Sequence, residues 1–203
     1  MPSKFSLTRR AFLGLTGAGV AAFALPGRLW ALTVGAAQTL VERLVSDLYD
    51  LINSGRSETR MYADFESLLD VYADMPIIAQ SVLGVDWRRA SAAQRSAFVD
   101  AFSAYISRKY GSRFRELIGG EIEVTGARAI RNFFEVTSVA QLRGEAPFDV
   151  IWLVSDGSGQ ARVFNLIIEG INLRTTEAEE VGSMLDRNRG DLDAMIADLR
   201  NAN

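Results

Sequence analysis

Carboxylate side chains are the candidates for chemistry that we consider in this 203-residue chain, which contains no histidine and no cysteine. Without those residues neither a Ser-His-Asp nor a Cys-His nucleophile can be assembled, and the usual nitrogen and sulfur ligands of zinc are absent. Acid–base catalysis by a carboxylate stays open, with Asp149, Asp156 and Glu169 as the candidates. All three stand in turns or at strand ends without a paired second carboxylate, which favours solvated or structural roles.

Residues 1–31 have the pattern of a removable export signal. Arg9 and Arg10 precede a weakly apolar stretch at 11–25, whose 15 residues are too few to span a bilayer, since a spanning helix needs about 20. The modest hydrophobicity suits the twin-arginine route; an ordinary secretory signal with two arginines is the alternative. Cleavage fits after Ala24 or Ala31. We therefore expect an exported protein whose folded part is one domain, 32–203.

Charge and composition limit the partners of this domain. The leader contains four basic and no acidic residues, so the domain retains 18 basic against 25 acidic residues. An acidic surface argues against nucleic acid and against simple electrostatic adhesion to anionic lipid headgroups. Disulfides are impossible without cysteine, so the core alone must provide the stability.

Helical periodicity dominates the first half of the domain. Apolar residues recur at helical spacing over 40–52 and 58–72, and Asp74 can cap a short third helix. Ser91 and Gln94 have the spacing of a capping box at the start of a fourth helix. Behind it runs an apolar stripe at helical spacing, formed by Phe98, Ala101, Phe102, Tyr105 and Ile106.

The apolar period changes to two at Glu121. Short turn sequences separate the β-rich segments, and strands joined by tight turns form an antiparallel sheet. Two helices are expected to close the chain. This order predicts an α+β domain in which helices pack on one face of a curved antiparallel sheet. The predicted strands are 121–124, 133–142, 148–154 and 162–170, and the predicted closing helices are 176–188 and 191–199.

Several of these segments together match a known pattern. Residues 82–114 contain Leu-Gly before a tryptophan, then a Ser-x-x-Gln-Arg helix start and a phenylalanine-rich helix that ends at a tyrosine. Two further motifs follow: Glu-Gly-Ile-Asn-Leu at 169–173 and a Gly-Asp helix start at 190–191. Over 38–200 this order resembles the MlaC family of periplasmic phospholipid-binding proteins, also called toluene-tolerance or auxiliary transport proteins. The matching residues are Leu83, Gly84, Trp87, Ser91, Gln94, Arg95, Phe98, Phe102, Tyr110, Glu169, Gly170, Ile171, Asn172 and Leu173.

The chain departs from the family pattern at a few positions. The family usually has aspartate at the position of Asn165, serine at that of Asn172 and an aromatic residue at that of Val181, and it often has tryptophan near Ala161. These differences bear on lipid selectivity and on partner docking more than on the fold.

The resemblance implies a nuclear-transport-factor-like or cystatin-like sheet wrapped by helices around a deep apolar cavity. Acyl chains would lie inside and the phosphate headgroup near the mouth, with glycerophospholipid as cargo and no cofactor, metal or catalytic residue. A monomer would shuttle lipid between an outer-membrane lipoprotein and an inner-membrane ABC transporter with its MCE-domain protein, which maintains outer-membrane lipid asymmetry. The expected cavity walls are Tyr72, Met75, Ile78, Val82, Phe102 and Ile106 on helices, Val136, Trp152, Val154, Val163 and Leu166 on strands, and Ile171 at the rim.

Three alternatives stay open at this point. A carrier of the same family associated with hopanoid synthesis would bind polycyclic lipid. A carboxylate-dependent enzyme of the isomerase type would depend on Glu169 or Asp149. A structural protein would have a filled core and no ligand, because core-facing and cavity-facing residues have the same periodicity. The nearly continuous apolar strands also leave open which strand face points inward.

Overall fold

The structure, a computed structural model, describes residues 32–202, and the predicted leader lies outside the described residues. In this part of the chain no helix is both long and apolar enough to cross a bilayer. Five helices and a 3₁₀ turn (Phe114–Leu117) come first, followed by five strands and two closing helices. The helices are α1 (Val34–Ile52), α2 (Glu58–Tyr72), α3 (Met75–Leu83), α4 (Asp86–Arg89), α5 (Ala92–Gly111), α6 (Leu173–Arg187) and α7 (Leu192–Asn201); the strands are β1 (Glu121–Ile130), β2 (Phe133–Gln141), β3 (Phe148–Ser155), β4 (Arg162–Ile168) and β5 (Ile171–Asn172).

Local capping signals start the helices as the sequence predicts. Ser91 Oγ accepts a hydrogen bond from the Gln94 N–H at 3.1 Å, and Gln94 Oε1 accepts one from the Ser91 N–H at 3.0 Å, which completes the capping box of α5. Asp74 caps α3, and Gly84 ends it with a φ of 60°. These contacts satisfy backbone groups that a helix end leaves free.

The start of the first closing helix was predicted wrongly. Helix α6 begins at Leu173 rather than at 176, because Asn172 Oδ1 accepts a hydrogen bond from the Thr175 N–H at 3.2 Å and so acts as the cap. Helix α4, the 3₁₀ turn and strand β5 were not predicted, since segments of two to four residues are too short to show a period.

The predicted antiparallel sheet is confirmed, with strand order β1-β2-β3-β4-β5. Trp152 pairs with Val136 on one side and Leu166 on the other, and Val154 pairs with Val163. Paired residues point to the same face, so these five side chains share one face of the sheet. A register shift between Leu153 and Val154 bends the strands at this point.

Apolar side chains form two large cores and a third, smaller cluster of Leu48, Ile52, Met61 and Phe114. The sheet core lies between the sheet and α1, and the helical core lies among α3, α5, α6 and α7. The buried members of the sheet core are Ala37, Val41, Leu44, Val45, Leu68, Val136, Ala140, Val150, Trp152, Val154 and Val163. Those of the helical core are Ala73, Met75, Ala79, Val82, Leu83, Ala90, Phe98, Ala101, Phe102, Tyr105, Val181, Met184, Leu185, Leu192, Met195, Ile196 and Leu199.

Replacement of Phe102 by alanine tests the packing of the helical core. Phe102 is 0% exposed and its ring stacks on that of Phe98, with centroids 5.6 Å apart. We expect Phe102→Ala to lower the free energy of unfolding by about 3–5 kcal/mol in urea titrations followed by circular dichroism. The control Val85→Ala, at a side chain that is 78% exposed, should change it by no more than about 0.5 kcal/mol. A loss below about 1 kcal/mol for Phe102→Ala would contradict tight packing there.

Candidate functional site

The structure brings the five expected strand residues together on the face of the sheet that α1 covers. Val136 and Val154 are fully buried, and Trp152 is 6% exposed. The indole Nε1–H of Trp152 donates to Ser138 Oγ at 2.9 Å, and that hydroxyl donates to the Val150 carbonyl at 3.2 Å. The polar atom of the tryptophan is therefore satisfied, and the rest of this face is apolar.

The expected helix residues are divided between the two cores. Met75, Val82 and Phe102 are buried members of the helical core, and Ile78 and Ile106 pack against it. Tyr72 instead packs against the sheet core, with its hydroxyl donating to Asp47 Oδ2 at 2.6 Å. Ile171 belongs to neither core and is 58% exposed on β5. The twelve residues thus do not line one continuous wall.

No open cavity adjoins the most deeply buried of the expected wall residues. Val136, Val154 and Phe102 have 0% of their surface accessible to water, so neighbouring side chains fill the space around them. The conformation described here therefore has closed cores at these positions. Any ligand between α1 and the sheet would have to displace side chains that now pack together.

A cleft of about 630 Å³ opens beside the helical core, at the junction of α2 and α3. Its walls come from α2, the start of α3, the middle of α5 and the segment between β3 and β4. Four carboxylates line it, together with apolar side chains and one arginine. The lining residues are Glu66, Asp70, Ala73, Asp74, Met75, Pro76, Val99, Asp100, Ser103, Ser158, Gln160 and Arg162. We call it the acidic cleft.

Arg162, at the start of β4, links the strand side of the acidic cleft to the end of α2 by hydrogen bonds. Its Nη1 donates to the carbonyls of Ala73, at 3.1 Å, and of Asp70, and its Nη2 donates to Gln160 Oε1 at 3.0 Å. The Asp74 N–H donates to the Val163 carbonyl at 2.8 Å beside this contact. The guanidinium thus caps the last carbonyls of α2, a favourable position for a cation.

Burial and neighbouring charges act on Glu66 in the acidic cleft. Burial raises the pKa of Glu66, and the charges of Asp70 and Asp100 raise it further, while Arg108 acts in the opposite direction. Desolvation and like charges both disfavour the charged form of a carboxyl group, whereas a nearby guanidinium favours it.

A second polar cluster joins the C-terminal part of α5 to α6. Lys109 Nζ contacts Glu177 Oε1 at 2.8 Å and also pairs with Glu180, and the Tyr110 hydroxyl donates to Glu177 Oε1 at 2.6 Å. Glu177 is 3% exposed, and its Oε2 has no hydrogen-bond partner. Burial opposes the charge of Lys109, but the hydrogen bonds to both glutamates outweigh it and raise its pKa. For Glu180, the contact with Lys109 outweighs burial and lowers the pKa.

The carboxylates proposed from sequence for acid–base chemistry lie elsewhere. Asp149 and Glu169 are exposed, and the Asp149 carbonyl accepts a hydrogen bond from the Glu169 N–H at 3.0 Å. Asp156 Oδ2 accepts one from the Leu32 N–H at 2.9 Å. None of the three lines the acidic cleft. Between residues 32 and 202 no three Asp or Glu side chains, those of the acidic cleft included, are arranged so that they could hold a metal ion.

Sequence reasoning missed the acidic cleft. Glu66 and Asp70 are one helical turn apart on α2, which is a weak sign that they share a face. Asp100 and Arg162 join them from α5 and β4, and no local spacing links those positions. Only the tertiary packing assembles this site.

Positions at which the chain departs from the family pattern retain structural roles. Asn165 is 4% exposed, and its Oδ1 accepts a hydrogen bond from the Arg174 N–H at 3.3 Å. Asn172 caps α6 as described above, and Val181 is 1% exposed in the helical core. Asn172 and Val181 therefore fit the fold, whereas the Nδ2 of Asn165 is buried without a hydrogen-bond partner.

Comparisons with known proteins agree with this architecture. The family model described as "MlaC protein" matches residues 38–201. A solved structure of a phospholipid-binding protein from Ralstonia solanacearum, in complex with a phospholipid, superposes with a TM-score of 0.69 at 20% sequence identity. The match covers 81% of this chain and 95% of that one. At this identity the superposition shows a shared fold.

Alkaline titration tests the burial of Tyr105 beside the second polar cluster. Burial raises the pKa of Tyr105 to about 12, whereas an unfolded tyrosine titrates near 10. A pKa that is higher in the folded state gives stability that is complete below pH 10 and is lost as the pH rises towards 12. We expect the free energy of unfolding to fall over this range, with Tyr105→Phe removing at most about 3 kcal/mol of the fall. Identical pH profiles for the two proteins would contradict this assignment.

Proposed function

The chain belongs to the MlaC protein family, and on that premise we propose that it binds a phospholipid and carries it between the membranes of the cell envelope. The observation that supports this most is the family match over residues 38–201, which span both cores. The phospholipid complex of the Ralstonia solanacearum protein with the same fold supports the choice of ligand.

We infer that the acyl chains bind against the apolar face of the sheet. Val136, Trp152, Val154 and Val163 present a continuous apolar surface there, and α1 now covers it. Chains could enter only if helical side chains moved away from the sheet, because the space beside Val136 and Val154 is filled. Binding would then exchange protein–protein apolar contacts for protein–lipid contacts, at a small net cost.

Energetics limit how such a carrier could release its cargo. Burial of about 30 methylenes at about 0.8 kcal/mol each stabilises a diacyl lipid by roughly 24 kcal/mol relative to water. Release into water is therefore negligible. A bilayer stabilises the chains by a similar amount, so transfer can be nearly balanced when the protein docks on a membrane partner that offers a continuous apolar path.

The proposed route places the protein between two membranes. Residues 1–31, with Arg9 and Arg10, would direct its export to the periplasm, and the domain from residue 32 would work there. Its partners would be an outer-membrane lipoprotein and the MCE-domain protein of an inner-membrane ABC transporter. An acidic domain would not adhere to anionic membranes by charge alone, so docking would rely on these proteins.

Native mass spectrometry of the full chain expressed and purified from its own periplasm tests the proposal directly. We expect one diacyl phospholipid for each protein, identified after solvent extraction. The mass of the protein would also give the cleavage position, after Ala24 or after Ala31. Polycyclic lipid in place of phospholipid would point to the hopanoid-associated carrier. A protein that stays empty after incubation with phospholipid vesicles would contradict lipid carriage.

A charge on the proposed acyl-chain surface should abolish lipid binding. Val163 is 7% exposed in the sheet core, and Val163→Glu would place a carboxylate against the chains, so we expect no lipid in the native mass spectrum. Circular dichroism and urea titration would establish that the variant folds. Ile171→Glu, at a side chain that is already 58% exposed, changes the proposed rim without burying a charge, and it should reduce lipid uptake from vesicles.

The matched control for both variants is Val85→Glu. Val85 is 78% exposed and precedes α4, away from the sheet core, so this variant should load lipid as the wild type does. Full lipid occupancy in folded Val163→Glu would exclude this face of the sheet as the binding surface.

A further inference from the structure

We propose that the protein pairs with a second copy of itself through the outer edge of β1, so that the two sheets join across a two-fold axis. The inference is carried by the unpaired edge of this strand, by the order in which its side chains face the two sides of the sheet, and by one charge contact. It does not depend on lipid binding, and it departs from the monomer that the family resemblance implies.

Strand β1 forms one edge of the sheet, and among residues 32–202 only β2 lies beside it. In this part of the chain the backbone of its ten residues, Glu121–Ile130, bonds to no other element. An edge strand of this length presents a row of unpaired N–H and C=O groups, to which another strand can add. Strand β5, at the opposite edge, has only two residues and offers no such row.

The side chains of β1 divide between the face of the sheet that α1 covers, the core face, and the opposite face, the outer face. Ile122, Val124 and Ala127 pack against the sheet core. Ala129 pairs with Phe134, which packs there too, and paired residues share a face. The residues of the outer face are Glu121, Glu123, Thr125, Gly126, Arg128 and Ile130.

A bulge makes the order of faces along β1 symmetric. The register shifts between Val124 and Gly126; Gly126 pairs with Thr137, and Thr125 Oγ1 donates to Thr137 Oγ1 at 3.2 Å, so Thr125 and Gly126 share the outer face. From either end of the strand the faces therefore follow the same order: outer, core, outer, core, outer.

This symmetry favours a second copy over any other strand. A bulge normally protects an edge, because a regular strand that matches the faces on one side of the bulge mismatches them on the other. A second copy of β1, placed antiparallel, carries the same bulge at the same place. It can therefore match the faces of all ten residues of the strand.

The matching register places the two-fold axis between Thr125 and Gly126. A shift by one or two residues in either direction would put a core-face residue opposite an outer-face residue, so the faces select this register. The opposed positions are then Glu121 with Ile130, Ile122 with Ala129, Glu123 with Arg128, Val124 with Ala127, and Thr125 with Gly126. A two-fold axis makes each contact between different positions occur twice.

The same register brings opposite charges together. Glu123 is exposed and takes part in no ion pair within residues 32–202. Arg128 contacts Glu135 through Nε and Nη2, and its Nη1 has no partner in that part of the chain, so it can donate to the second copy. Opposite charges directly across a pair of strands stabilise it, and like charges destabilise it.

Light scattering after size-exclusion chromatography, over a range of protein concentrations, tests the pairing. We expect the wild type to reach twice the mass of one chain as the concentration rises. Glu123→Arg would set two arginines against each other at both contacts, and Arg128→Glu would do the same with two glutamates. Each variant alone should raise the dissociation constant of the dimer about tenfold or more. An equimolar mixture of the two should dimerise again, because each copy then meets the opposite charge.

The matched control is Glu179→Arg, which makes the same change of charge at an exposed position of α6 and should leave the dissociation constant unchanged. Circular dichroism would establish that each variant folds.

Cross-linking tests the register independently, since the chain has no cysteine of its own. Directly opposed Cα atoms lie about 4.5–5.5 Å apart in an antiparallel pair, within the reach of a disulfide bond. A mixture of Glu123→Cys and Arg128→Cys copies should therefore form a disulfide-linked dimer under mild oxidation. Neither variant alone should do so, because its two cysteines would lie about 17 Å apart along the strands.

Three results would overturn the inference. The first is a wild type that stays a monomer at every concentration. The second is a dimer that both charge variants leave intact and that gives no disulfide in the cysteine mixture, which would place the contact on another surface. The third is a monomer whose β1 amide groups become protected from hydrogen exchange only when a different protein is added, which would assign the edge to that partner. None of these results would bear on lipid carriage.

Discussion

The attachment of β4 to the junction of α2 and α3 determines how the two halves of the domain meet. Ala73 pairs with Val163, the Asp74 N–H donates to the Val163 carbonyl at 2.8 Å, and Arg162 binds the end of α2. These few polar contacts hold the sheet core beside the helical core. The acidic cleft opens beside this junction, with Ala73 and Met75 of the helical core among its lining residues.

The two cores differ in how they could respond to a ligand. The helical core is closed by aromatic stacking around Phe98 and Phe102 and by the Lys109–Glu177 contact between α5 and α6. Breaking that contact would leave Glu177 buried without its cation, which would raise the free energy of the folded protein. The sheet core is covered by α1 through apolar side chains, and apolar contacts can be exchanged for acyl chains with little loss. We therefore expect the opening that the proposed lipid binding needs to lie between α1 and the sheet.

Local signals in the sequence were sufficient for most of the fold. The capping box at Ser91 and Gln94, the cap at Asp74 and the change of period at Glu121 each depend on residues a few positions apart. The order of the elements then led to the antiparallel sheet. The start of α6 was placed too late because the cap at Asn172 precedes the apolar repeat by several residues.

The sequence by itself determined the longer helices, the four longer strands, the acidic charge and the family, since all of these follow from composition, short spacings and motif order. Only the tertiary structure decided that Val136, Trp152 and Val163 share a face of the sheet. Strand register sets the face, and in nearly continuous apolar strands the sequence does not show which side chains alternate between the two faces. It also decided the division of the expected wall residues between two cores. The acidic cleft depends on it entirely, because Asp70, Asp100 and Arg162 are distant in the chain and only packing brings their charges together.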